Sequence, residues 1–250
     1  MLTSELVWAL SALEIAAAGI TLLLLLRVVA PYGRHTRPGW GPSLPARWGW
    51  VVMELPTVVV FAAVFALGPG AGVAPLLLAL WMLHYGNRTF VYPLRMRATG
   101  KRMPVAIALL GAAFNTLNAT ANAGWVGHVG HYPAEWLTDP RFLIGAAVFL
   151  SGVTINVHSD EVLRRLRAPG EQGYKVPMGG LHRWVASPNY LGEIIAWCGW
   201  ALLTWSPAGL AFALYTAANL VPRADANWRW ARENLPEYPN GRRRLLPGLW

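Results

Sequence analysis

Polar and apolar positions in this chain fall into long blocks rather than the short alternation of an amphipathic strand or surface helix. Residues 16–26 and 58–67 contain no charged side chain. Blocks of this kind, long enough to cross hydrocarbon as helices, predict an all-α integral membrane protein. The pattern places seven transmembrane helices at roughly 5–29, 49–67, 73–94, 104–125, 141–159, 183–204 and 207–221, with ends set to within about 2–4 residues. The stretch Gly68-Pro69-Gly70-Ala71-Gly72 reads as a turn between the second and third helices. The first block is longer than a signal-peptide core and no basic residue precedes it, which marks it as a retained span. No internal repeat divides the chain.

Composition supports the same class. The 250 residues are 55% hydrophobic and 13% charged, whereas soluble domains carry nearer a quarter charged residues. Several of the 14 tryptophans (Trp8, Trp48, Trp50, Trp125, Trp136 and Trp250) flank the predicted spans, where indole rings favour the interface. The single cysteine, Cys198, excludes an intrachain disulfide.

Charge orients the bundle. Alternate connections are basic: Arg34, Arg37 and Arg47; then Arg95, Arg97, Lys101 and Arg102; then Arg164, Arg165, Arg167 and Lys175; then a tail with Arg223, Arg229, Arg232, Arg242, Arg243 and Arg244. The N-terminal segment and the connections 68–72, 126–140 and 205–206 hold no lysine or arginine. The positive-inside rule puts the first set in the cytoplasm, so the N-terminus is outside and the C-terminus inside. The net charge of +9 therefore sits on the cytoplasmic face. Ordinary topology and attraction to anionic membrane lipid account for much of it; a cup for a multiply charged nucleotide is the sharper reading. No nucleic-acid reader motif accompanies the charge, and no protein partner is expected.

Polar groups inside the spans carry the candidate chemistry. Glu14, Glu54 and Glu193 fall within predicted helices, where a carboxylate costs on the order of 2.5–3.5 kcal/mol to insert. Glu14 reads as an acid near a helix end or paired with a neighbour. Glu54 precedes Pro56, which loosens the helix, and an acid in so apolar a setting is expected to hold its proton and donate. Tyr85, Arg88 and Tyr92 share a helical face. Tyr92 and Arg88 read as an interfacial ring and a snorkelling guanidinium. Tyr85 lies deeper and needs a partner, for which Glu54 is the candidate. An acid and a phenol together would stabilise a developing enolate. Asn156 with Asp160, and Asn189 with Glu193, are each one helical turn apart. These pairs either bind an amide and a ribose or join helices to each other.

Taken together, these residues resemble the steroid 5α-reductase family of membrane oxidoreductases. The resemblance runs from about Tyr32 to the C-terminus and rests on Tyr32-Gly33-Arg34-His35-Thr36, Leu44-Pro45-Ala46-Arg47, Glu54-Leu55-Pro56 and His84-Tyr85 with Arg88-Thr89-Phe90-Val91-Tyr92. It continues through Thr138-Asp139, Arg141-Phe142, Asn156-Val157-His158-Ser159-Asp160, Leu163-Arg164, Leu166-Arg167, Pro169-Gly170, Gly179-Gly180-Leu181, Asn189 and Leu191-Gly192-Glu193. It implies a seven-helix protein that uses NADPH to reduce the 4,5 double bond of 3-oxo-4-ene steroids or a similar lipid-like enone. Its membrane would be the bacterial inner membrane, or the endoplasmic reticulum in a eukaryote. Residues 1–125 would form a substrate-pocket half and 141–250 a cofactor-binding half. Glu54 and Tyr85 would hold the 3-keto oxygen. Arg34, Asn156, Asp160, Arg167, Tyr174, Lys175, Asn189, Glu193, Arg223 and Asn227 would bind the cofactor. Met53, in the substrate pocket, stands where animal members have glutamine, and its thioether cannot supply an amide's hydrogen bonds.

Two other classes compete. One is a membrane methyltransferase of the isoprenylcysteine type, for which an acid–phenol clamp has no use. The other is a transporter or lipid-binding protein with its acids on a proton path. No dinucleotide fingerprint follows a strand, and His128 with His131 is too sparse to hold a metal.

Overall fold

The structure, a computed structural model, describes residues 2–97, 100–166, 168, 171 and 173–250. It is mostly helical: α1 Ser4–Leu25, α2 Ala46–Ala66, α3 Ala74–Gly86, α4 Tyr92–Arg95, α5 Val105–Gly124, α6 Pro140–Arg165, α7 Pro188–Thr204 and α8 Pro207–Asn234. A π-helical stretch, Asn87–Val91, joins α3 to the short α4, so these act as one helix and seven long rods remain among the described residues. By length and composition α1, α2 and α6 are apolar enough to cross a membrane. One short antiparallel ribbon was not foreseen: β1, Ser43–Pro45, pairs with β2, Arg102–Pro104, with Leu44 opposite Met103. It ties two of the basic connections together.

Helix starts follow local chemistry. Asp139 accepts from the Arg141 amide at 2.8 Å to cap α6, and Ser206 accepts from Gly209 at 2.9 Å to cap α8. Proline occupies the first turn of α3, α6, α7 and α8, where no amide donor is needed. Two ends differ from the apolar pattern. Helix α7 starts at Pro188, later than expected, because residues 180–183 form a separate tight turn. Helix α8 runs past Pro222 to Asn234, since Arg223, Asn227 and Ala231 on its polar half are buried against the bundle. Polarity there marks a buried face, not the end of the helix.

Packing is closest between α6 and α7, through backbone meeting backbone. A Cβ placed on Gly152 would lie 2.2 Å from the Ala196 amide nitrogen, and one on Gly192 would lie 2.5 Å from that of Asn156. Gly145 and Gly199 meet the facing backbone in the same way. Small residues at seven-residue spacing on both helices permit this approach. At the centre Trp81, fully buried, stacks on Phe61 at 4.4 Å and meets Trp197 and Trp200 at 5.3 and 5.2 Å. Its indole donates to the Thr57 carbonyl at 2.8 Å.

Candidate active site

A cavity of about 810 Å³ runs from this aromatic centre to the basic connections. At its inner part lie Glu54 from α2 and Tyr85 from α3, both buried and both lining it. Tyr85 is wedged between Trp81 at 4.8 Å and Trp197, stacked at 5.4 Å. Asn115 of α5 donates to the Glu54 carboxyl at 3.3 Å and to the Met53 carbonyl at 2.7 Å, which fixes the acid's position. Asn115, missed in the sequence, was detectable as an amide stranded in an apolar helix.

The next layer is a buried ionic cluster. Arg88 meets Asp160 at 3.2 Å and Glu193 at 3.3 Å. Glu193 also faces His84 at 3.3 Å and accepts from the Trp197 indole at 3.1 Å. The Arg88 guanidinium lies 4.7 Å from the Trp50 ring and 5.0 Å from the Tyr92 ring. Arg88 therefore does not snorkel, and Tyr92 is not merely interfacial: both line the cavity, because two acids across the bundle draw the charge inward. Asn189 donates to Asp160 at 3.0 Å, and Asn156 donates to the Asn189 carbonyl at 3.1 Å. The two amide–acid pairs thus join α6 to α7 and also face the cavity; the two sequence readings are compatible. Asn156 Oδ1 is buried without a hydrogen-bond partner among the described residues.

The outer end is basic. Arg34 lies 5.3 Å from the Tyr174 ring and 5.1 Å from the Trp230 ring, and Lys101 lies 5.1 Å from Tyr174. Lys175 pairs with Glu171 beside the opening. Arg223, 4% exposed, stacks 3.8 Å from the Tyr32 ring. Arg242, 2% exposed, donates to the Pro177 carbonyl at 2.8 Å. In both arginines Nε and Nη1 are buried with no hydrogen-bond partner among the described residues. Unpaired buried guanidinium donors are costly, and a ligand with phosphate oxygens is what they fit. Burial pushes the Tyr32 phenol up to about 12, opposed by Arg223. Burial also pushes His35 below the usual histidine value. His35 Nε2 meets the Asn227 side-chain Oδ1 at 3.1 Å, while the Asn227 amide donates to Ser187 Oγ at 3.2 Å.

Every expected site residue within the described regions lines this one cavity: Met53, Glu54, Tyr85, Arg34, Asn156, Asp160, Tyr174, Lys175, Asn189, Glu193, Arg223 and Asn227. Arg167 lies outside the described residues. Arg242 and Tyr238 were missed because they sit where the chain departs from familiar motifs. His128 receives the Leu2 amide at 3.1 Å and reaches the Val64 carbonyl at 2.7 Å, tying segments at the other end.

Comparison with known proteins adds an independent line. The family model described as 3-oxo-5-alpha-steroid 4-dehydrogenase matches residues 101–250. The chain is 42% identical to 3-oxo-5-alpha-steroid 4-dehydrogenase 1 of Bos taurus, over 96% of each chain. It is 44% identical to the Macaca fascicularis protein of the same name, over 88% of this chain and 84% of the relative. It is 43% identical to Steroid 5-alpha-reductase DET2 of Solanum lycopersicum, over 92% and 91%.

Proposed function

Because this chain belongs to the 3-oxo-5-alpha-steroid 4-dehydrogenase family, we propose that it is a membrane oxidoreductase reducing the 4,5 double bond of 3-oxo-4-ene steroids or similar lipid-like enones with NADPH. The observation that carries this reading is a single cavity with Glu54 and Tyr85 at one end and orphaned arginine donors at the other.

Bound NADPH would supply the hydride that reaches the β-carbon of the enone. Arg34, Arg167, Lys175, Arg223 and Arg242 would hold its phosphates, and Asn156, Asp160, Tyr174, Asn189, Glu193 and Asn227 the remaining polar groups. Arg88 keeps Asp160 and Glu193 neutralised between the two ends. In its protonated form Glu54, together with Tyr85, would donate to the ketone oxygen. As negative charge grows on that oxygen, both hydrogen bonds strengthen, which is the differential stabilisation that speeds the step. The tryptophan wall around Tyr85 keeps bulk water away. In this reading the basic end faces the cytoplasm, all seven rods span the membrane, and the bacterial inner membrane is the setting. The first half of the chain supplies the ketone clamp and the second most of the cofactor contacts.

Loss of one oxyanion donor typically costs about 10²–10³ in rate. Tyr85→Phe should lose activity on this scale toward a 4-ene-3-one steroid, with the thermal midpoint nearly unchanged. Glu54→Gln keeps a donor and should retain part of the activity. Parental rates from both variants would refute the clamp. A thermal shift with S-adenosylmethionine and none with NADPH would favour the methyltransferase class instead.

A further inference from the structure

We propose that Met53, seated in the notch left by Gly111, sets how much apolar bulk the site accepts beside the ketone; this rests on the enone-reductase reading above. Met53 precedes Glu54 on α2, and Gly111 faces it from α5; both line the cavity. A Cβ on Gly111 would lie 2.4 Å from Met53 Cγ and 2.8 Å from its Sδ. The thioether therefore occupies the space that any other residue at 111 would fill. Asn115, one turn further along α5, holds the Met53 carbonyl at 2.7 Å and the Glu54 carboxyl at 3.3 Å. Helix α5 thus fixes the acid and the seat of its neighbour with one amide and one missing side chain.

Met103 of β2 sits in the same way against Gly49, one turn before Met53 on α2: a Cβ on Gly49 would lie 2.8 Å from Met103 Sδ. Both methionines line the same cavity, giving it a wall of soft, unbranched side chains that lie against the helices rather than across the opening. While Met53 is seated, the space beside Glu54 stays open. With the backbone of Met53 pinned by Asn115, eviction from the notch leaves the cavity as the direction in which the thioether can move. The ligand class this wall suits is an enone carrying apolar ring substituents next to its ketone, with no polar group directed at residue 53.

The test uses full-length protein in detergent and two probes, a monocyclic cyclohexenone and a tetracyclic 4-ene-3-one steroid. Relative kcat/KM with NADPH is measured, together with relative affinity from quenching of tryptophan fluorescence. Gly111→Ala should lower the steroid-to-cyclohexenone ratio by about tenfold or more, the scale on which a few misplaced atoms discriminate in an apolar pocket. Adding Met53→Ala to Gly111→Ala should return the ratio to the parental value, because the evicted side chain is gone. An unchanged ratio in Gly111→Ala, or a ratio that stays low in the double variant, overturns the seat. If the parental protein neither reduces nor binds either probe, the enone reading itself fails. Normal parental turnover with an unchanged ratio removes only the role of the notch.

Discussion

Arg88, mostly shielded, and Glu14, fully buried, are both ionisable residues within the apolar bundle, yet their surroundings lead to opposite expectations. Arg88 is held by Asp160 and Glu193. Arg88→Met would leave two buried acids without their cation, a change that costs about 3–5 kcal/mol. Glu14 is fully buried in α1, and neither carboxyl oxygen has a hydrogen-bond partner among the described residues. A buried polar group left unsatisfied costs about 1–3 kcal/mol, so Glu14→Leu should stabilise on that scale. Thermal midpoints in detergent should therefore fall for Arg88→Met and rise for Glu14→Leu. A lower midpoint for Glu14→Leu would reveal a partner for the acid, and a loss of turnover at an unchanged midpoint would give Glu14 a part in the chemistry.

Among the elements, the α6–α7 pair sets the middle of the cavity. Its glycines bring two backbones together, and Asn156, Asp160, Asn189 and Glu193 stand where they do because of that closeness. Gly192→Val would drive side-chain carbon into the Asn156 backbone, already only 2.5 Å from a Cβ. Backbone cannot rotate aside as a long side chain can, so the helices must part and the Asn156–Asn189 and Asn189–Asp160 bonds must break. We expect Gly192→Val to lose NADPH-induced thermal protection or to fail to yield monodisperse protein. Gly19→Ala on α1, with nothing within 4 Å of the added carbon, should be harmless or slightly stabilising, since alanine exceeds glycine in helix propensity by about 1 kcal/mol. Equal behaviour of the two variants would contradict the packing argument.

For the whole molecule, the uneven distribution of charge would, on the proposed function, serve as an assembly signal as well as a ligand site. Arg34, Arg95, Lys101, Arg164, Arg223 and Arg242 belong to the basic set that the positive-inside rule would place in the cytoplasm, and all line the cavity, so on the proposed function orientation and access for an anionic cofactor would follow from one feature. With Cys198 replaced by serine, a cysteine at Ser4 should react with a membrane-impermeant maleimide in intact spheroplasts, and a cysteine at Gly241 only after lysis. The reverse pattern would invert the bundle and put the cavity opening outside.

The sequence by itself determined the helices, because removing a long apolar block from water is favourable whatever lies beside it. Expected spans 5–29 and 49–67 became Ser4–Leu25 and Ala46–Ala66, and Glu54, Tyr85 and the two amide–acid pairs were visible as polar types stranded in such blocks. What a stranded polar group does, however, depends on a partner that chain distance conceals. Asp160 lies 72 positions from Arg88, and Asn115 lies 61 from Glu54. Only the folded bundle showed that Arg88 turns inward, that α8 continues as a half-polar helix beyond Pro222, and that Arg242 joins Arg223. The physical reason is that burial of hydrocarbon is a local quantity, summed along a helix. The pairing of charges and amides depends on distances across helix interfaces, and these exist only once small residues have let the helices meet.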